Sequence, residues 1–548
     1  MQKIYKLVLP LFFCLAPLTV SAQSFRVQCP TSTVTHPVAA NNNSEPQYTG
    51  PTAFTTAAGG YLTPSSNVNG AIKCQQISGG DGYSTMGDGT QTYMFSFGPL
   101  SGLADIANGQ PGTESPQTFN TVYPDIFQPG DPATTGLAGF TYNGAVGLVP
   151  DLDCIAANNA ATAAGTAPPC PGLPASGLDG HVDPRQMMDV GVMNGNIPAP
   201  LMAIDEDDEF FLTLSNVGMI MRPDLFEQHT VHFHGYPNAS SFYDGVPDAS
   251  VAINIGASFT YYYLAPEAGT YFWHCHITPP EHLQMGMVGQ LYVRPRQNRV
   301  PVGNGLYAAL HTQQTDPRTA CNSATDILCS SPVPAATNSI NRAATGNYAY
   351  NDGDASTYYD VEYPLQIHGF DPNFHFVGMT FNPEGFADMK DKYFLLNGRS
   401  YPDTVTAGPM QTVSADGRSH VSQPLSAIIN IKPGQRALLR ISDLDVSEYQ
   451  TLASLGVPMT VIGLNARLLR DQAGNNLAYN TNSITLGGGE SLDVILDTCL
   501  VRSIAGDPSS TCSTAMATGT YYLYTPNLDH LSNDAENFGG LMTEVRVN

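Results

Sequence analysis

One stretch, His229 to Met287, limits what this 548-residue chain can become. It reads HTVHFHG at 229–235, YDGVPD at 243–248, GTYFWHCH at 269–276 and HLQMGM at 282–287, and it holds six of the thirteen histidines beside one cysteine. The aromatic and β-branched residues of both His-rich strings favour extended strands. A strand turns successive side chains to opposite faces. His274 and His276 therefore share one face and Cys275 takes the other. In the first string His232 and His234 share a face, and His229, an odd number of residues away, points to the opposite one. Two groups lie back to back: His229 with Cys275, and His232 and His234 with His274 and His276.

The chain supplies the first group with two more donors almost at once, His282 and Met287. Two imidazoles, a thiolate and a weak thioether form the ligand set of a blue-copper electron-transfer site, whereas an all-imidazole nest suits copper that handles oxygen. A lone histidine is ordinarily a core or surface residue. Donors in register on alternating faces are not explained that way.

The order HxxHxHG, then HCH, then His and Met resembles the copper motifs of the multicopper oxidases, within the cupredoxin superfamily. The resemblance implies an all-β chain of tandem cupredoxin-like Greek-key β-sandwiches. It implies a type 1 copper on His229, Cys275, His282 and Met287, with His232, His234, His274 and His276 as part of a type 2/type 3 cluster. It implies electrons passing from a donor along Cys275 to its flanking histidines, with dioxygen as acceptor. One departure is visible: His282 follows Cys275 by seven residues, where the oxidases usually have five, and Pro279 and Pro280 occupy the longer loop.

Composition agrees with a folded, strand-rich protein. Charged residues are only 13% against 42% hydrophobic, and 52 glycines with 42 prolines favour short strands and turns over helices. The formal charge of −25 argues against nucleic acid as a partner. Lys3 and Lys6, an apolar run and Val20-Ser21-Ala22 read as a secretory leader over residues 1–22, so the mature protein is expected in the periplasm or outside the cell. No later stretch is apolar enough to span a bilayer. Apart from Cys14 and Cys275, eight cysteines remain, an even number suited to an oxidising compartment. Sequence neighbours suggest the pairs Cys29–Cys74, Cys154–Cys170, Cys321–Cys329 and Cys499–Cys512.

In chain order, residues 23–85 read as an irregular arm. Residues 86–295 read as the copper-bearing unit with an insertion at about 100–185, 296–357 as a linker, and 358–548 as a second cupredoxin-like unit. The acids from Asp205 to Glu209 read as a solvated turn. An internal repeat sets HTVHFHG on Val457–Gly463 and GTYFWHCH on Gly519–Pro526, so the second unit keeps the fold without copper ligands; only His530, near the place of His282, survives. His368 and His375, in IHGFDPNFHF, read as structural or solvent-facing.

Oxidases of this type surround three coppers with imidazoles from two domains, whereas this chain offers half that set. The leading expectation is an exported copper oxidoreductase whose cluster is completed by a second copy or another subunit. Its electron donor is left open among phenols, metal ions and a protein. Two others stand beside it: a copper nitrite-reductase relative, and a type 1 electron carrier or copper-binding protein without turnover.

Overall fold

The computed structural model describes residues 26–121, 144–146, 148–150, 152–167, 178–182, 184–236, 240–265, 267–316, 331–380 and 385–548. The leader, much of the 100–185 insertion, and Cys170, Cys321 and Cys329 lie outside the described residues. No helix among the described residues is long and apolar enough to cross a membrane.

The first sandwich uses β1 (Ile72–Thr85), β2 (Gln91–Pro99), β3 (Met202–Asp205), β4 (Glu209–Gly218), β5 (His232–Phe233), β6 (Ser258–Leu264), β7 (Gly269–His274), helix α1 (Pro279–Gln284) and β8 (Val288–Arg294). One sheet runs β6-β4-β1-β2 and the other β3-β8-β7-β5. The second sandwich uses β9 (Val361–Phe370), helix α2 (Pro372–Thr380), β10 (Tyr393–Leu396), β11 (Ile429–Ile431), β12 (Arg436–Asp443), β13 (Gln450–Leu455), β14 (Met459–Leu464), β15 (Arg467–Leu468), β16 (Tyr479–Thr481), β17 (Ser483–Leu486), β18 (Ser491–Asp497), β19 (Gly519–Tyr524) and β20 (Met542–Val547). Its sheets run β10-β9-β12-β18-β14-β15, with β16 on β14, and β11-β20-β19-β13-β17. The all-β expectation holds.

Alternation along β7 determines what each face touches. Tyr271, Trp273 and Cys275 enter the core between the two sheets of the first sandwich, with Phe233 from β5 and Val231 just before it. Thr270 and Phe272 face the second sandwich: Thr270 donates its hydroxyl to Asp493 at 2.6 Å, and Phe272 packs with Phe370 and Leu444. Gly289 is required beside the large indole, because a Cβ there would lie 2.5 Å from Trp273.

Three sequence expectations change. The arm assigned to 23–85 gives its last part to β1, which pairs with β2 and β4 inside the first sandwich. The acids at 205–209 are not a solvated turn, since Glu206, Asp207, Asp208 and Glu209 are all buried. Arg296 forks onto Asp207 with two bonds of 2.7 Å, Arg299 reaches the same carboxylate at 3.2 Å, and His36 of the arm lies 2.8 Å from Glu209. Residues 296–299, assigned to a linker, are thus fastened into a buried charge cluster, where losing one partner strands the others.

The first half of the internal repeat is also out of register. His232 pairs with His274 across β5 and β7, and in the second sandwich Ala453 pairs with Tyr524 across β13 and β19. His232 therefore corresponds to Ala453 and Gly235 to Gly456; both glycines have positive φ, 69° and 98°. The match to Val457–Gly463 instead picked β14, a strand of the other sheet. Gly269 and Gly519, which open β7 and β19, have φ values of 150° and 155°, in keeping with the match of those two strands.

Cys29–Cys74 and Cys499–Cys512 are disulfides with Cα separations of 5.8 and 5.7 Å. Glu114 exchanges main-chain bonds with Cys74, and its buried carboxylate oxygens have no hydrogen-bond partner among the described residues. Burial pushes its pKa up to about 9, with Asp105 adding to the shift. The folded protein then holds a proton that the unfolded chain releases near the ordinary carboxylate pKa, so stability is lost as pH rises between those two values. Replacing Glu114 with Gln is expected to remove a slope approaching ~1.4 kcal/mol per pH unit, the value for one proton. Urea unfolding of both proteins from pH 5 to 9 measures it, and parallel pH profiles would contradict the assignment.

Candidate metal centre

The sulfur nest is built where β7 ends. Cys275, His229, His282 and Met287 are each 0% exposed. The Nδ1 atoms of His282 and His229 lie 3.2 and 3.9 Å from Cys275 Sγ, and Thr230 donates its N–H to the same sulfur at 3.4 Å. The cysteine N–H donates to Met287 O at 3.1 Å, and Met287 N–H donates to His282 O at 2.8 Å, which draws the 282–287 loop back onto β7. Sequence reasoning missed Gly79 of β1, where a Cβ would sit 2.6 Å from His229 Cδ2. It also missed Phe95, edge-on to His282 at 5.2 Å, and Glu227, 3.8 Å from His282 Nε2.

Electrostatics prepare this nest for a soft cation. Burial pushes the Cys275 thiol up, but His282 and His229 outweigh it and hold the thiol well below its ordinary range. Burial alone would depress His282, yet the sulfur and Glu227 raise it to about 9. Cys275 and His282 thus each favour the other's charged form. A thiolate, not a thiol, is the form that binds metal.

The imidazole nest lies on the other face of the same strands. Ligand atoms of His232, His234 and His274 fall within 4.8 Å of one another, as do those of His229, Cys275 and His282. His234 Nε2 and His274 Nε2 are 3.0 Å apart, within hydrogen-bond distance. His276 lies outside that group of three, although its ring centroid is 4.9 Å from that of His232. Two rings are oriented by carbonyls: His232 Nδ1 is 2.7 Å from Asp244 O and His274 Nδ1 is 2.6 Å from Cys275 O. Each Nδ1–H is thereby committed, leaving the Nε2 lone pair for the nest. Asp244 belongs to YDGVPD, whose position between the two His strings was the available signal. Burial holds His274 well below its ordinary pKa, and desolvation by its neighbours, with His232 and His276 beside it, brings the solvent-facing His234 down to about 4, so these two rings are neutral at pH 7.

The remaining histidines of the second sandwich join neither nest. His530 is buried, 3.0 Å from Gln450 and 3.0 Å from Glu448, and stacked on Phe394. Gln450 occupies the place of His229 and Thr525 that of Cys275, so a hydrogen bond stands where the first sandwich gathers donors. His368 and His375 are buried rather than solvent-facing.

A family model for multicopper oxidase matches residues 179–298. That segment contains every donor of both nests, from His229 to Met287. Over 109 residues the chain is 33% identical to Laccase abr2 of Aspergillus fumigatus, covering 20% of this chain and 17% of the laccase. Over another 109-residue match it is 34% identical to a copper-containing nitrite reductase of Rhizobium meliloti, covering 19% of this chain and 26% of that enzyme. The chain thus spans about a sixth of the matched laccase and a quarter of the reductase. A blue copper oxidase from Nitrosomonas europaea aligns over 64% of this chain and 77% of its own, with 20% identity and a TM-score of 0.41.

Gly79→Ala forces a methyl into His229 and is expected to destabilise the fold by about 1–3 kcal/mol, the usual cost of overpacking. It should also weaken metal binding at Cys275. Denaturant unfolding and copper titration check both, and a variant with wild-type values would show that β1 does not hold His229 in place.

Proposed function

We propose that the protein is an exported copper oxidoreductase of the multicopper-oxidase type. His229, Cys275, His282 and Met287 would hold a type 1 copper. His232, His234, His274 and His276 would hold part of a type 2/type 3 centre that another chain completes. One observation carries this reading: Cys275 faces two imidazole Nδ1 atoms in a sealed core, while His274, its immediate neighbour, faces a separate imidazole nest. The donor sets fit copper, which when bound supplies one-electron transfer at the sulfur nest and dioxygen reduction at the imidazole nest.

The chain's own part is orientation and insulation. Core packing around Cys275 excludes water, so the thiolate meets no competing solvent. One peptide bond joins it to His274, and the contact between His274 Nδ1 and Cys275 O adds a second connection between the nests. The cavity beside His234, about 500 Å³, is lined from the second sandwich by Asp445–Tyr449 and Gly487–Glu490, and none of these is a histidine. His234 is exposed and His276 half-buried, which leaves room for imidazoles from elsewhere. A second copy apposing the same face across a two-fold axis meets that need. The electron donor is a phenol, a metal ion or a protein reaching the sulfur nest.

Sedimentation combined with oxygen uptake tests the assembly: turnover is expected only from the associated species. A monomer that reduces dioxygen would contradict completion by another chain, and blue colour without any turnover would leave an electron carrier. A second reading, a nitrite-reductase relative, draws support from the close His234–His274 pair with His276 outside the group of three. Nitrite turnover against oxygen uptake on one copper-loaded sample decides between them.

Cys275→Ser is expected to abolish the visible thiolate-to-copper band while leaving far-ultraviolet dichroism unchanged. Retained colour would refute the ligand assignment.

A further inference from the structure

The segment 367–376 places His368 and His375 in neither nest, yet both are only 1% exposed. His375, on α2, lies between two carbonyls of the first sandwich, with one N–H of its neutral ring to donate: its Nδ1 is 2.5 Å from Tyr93 O on β2, and its Nε2 is 2.9 Å from Gln284 O on α1. Gln284 lies between His282 and Met287, inside the loop that carries two of the four sulfur-nest donors, and is itself 0% exposed. Both ends of its side chain are taken by the second sandwich. Oε1 accepts the Asp371 N–H at 3.0 Å, and Nε2 donates to Asp391 Oδ1 at 2.9 Å.

The partners of Gln284 are anchored in turn. Asp371 accepts the N–H groups of Asn373 and Phe374 at 2.9 and 3.2 Å, and its other oxygen accepts the Lys390 N–H at 2.8 Å. The second oxygen of Asp391 accepts the Ser447 hydroxyl. Met285 is sealed by α2, where a Cβ on Gly378 would lie 3.3 Å from its sulfur. From the first sandwich, Ser96 donates its hydroxyl to Gly286 O at 2.8 Å.

We infer that Gln284 and His375 are positioning residues, through which the second sandwich, lacking its own donors, holds the His282–Met287 loop and sets the ligand geometry at Cys275. This rests on the type 1 reading given above. Gln284 is two residues from one donor and three from another, so anchoring its side chain and its carbonyl restrains the backbone that carries both. Outer partners that orient ligands tune a metal's electronics as well as its affinity, and the weak axial thioether is the ligand to which a type 1 potential responds.

The test uses full-length protein with Gln284→Leu and His375→Leu. Both are expected to keep one copper at the sulfur nest with unchanged far-ultraviolet dichroism. Both should shift the visible band, the copper hyperfine splitting and the reduction potential, and in copper-free protein speed hydrogen exchange across 279–287. His375→Gln, whose amide has two N–H donors for the two carbonyls, should move these readings back toward wild type. Wild-type spectra and potential in both leucine variants would overturn the inference. Should those variants not fold, Gln284→Asn, shorter by one methylene, is read in the same way. A wild-type protein with no blue band would instead remove the type 1 reading itself.

Discussion

Everything at the candidate metal centre depends on the reversal of direction between adjacent residues of one strand. At Trp273-His274-Cys275 the indole and the sulfur go into the first core, while the imidazole between them goes to the opposite face. Two chemically distinct nests therefore stand one residue apart without sharing a donor. A slip of one residue would send the sulfur to the imidazole side and His274 into an apolar core, where an unpaired ring is costly. Pairing of β7 with β8 on one side and β5 on the other resists that slip.

The second sandwich contributes what the first lacks. Its β12 and β18 cover the outer face of β7 and β8, through Asp493 on Thr270 of β7 and through Arg440 and Ser442 of β12 on Gln290 of β8. Its α2 reaches round to the ligand loop. Its own equivalent of the sulfur nest has become Gln450, Thr525 and His530, of which Gln450 and His530 are joined by an ordinary hydrogen bond. A unit without donors is thus retained as a wall and a clamp, and the imidazole nest opens at the edge of that wall.

Both nests were legible because their evidence is local: donors at short, fixed spacing on strands with obvious alternation. The parts that were not legible depend on distant partners. Strand β1 was hidden because Gly79, Gly80 and Gly82 lower strand propensity. They are glycines because His229, Val217 and Gly195 approach the backbone too closely for a side chain. The acids at 205–209 looked solvated because Arg296 and Arg299 lie some ninety residues on. The repeat slipped because glycine at both Gly456 and Gly463 allowed two alignments, and only strand pairing separates them. His375 and Gln284 carried no sequence signal that would join them.

Electron paramagnetic resonance with metal quantitation on the assembled, copper-loaded protein bears most directly on the paired nests. A narrow-hyperfine type 1 signal integrating to one copper per chain, with further copper bound and lost on replacing the imidazole-nest histidines, is the expected result. A single copper per chain with no thiolate-type signal, or a type 1 signal that survives loss of Cys275, would contradict it.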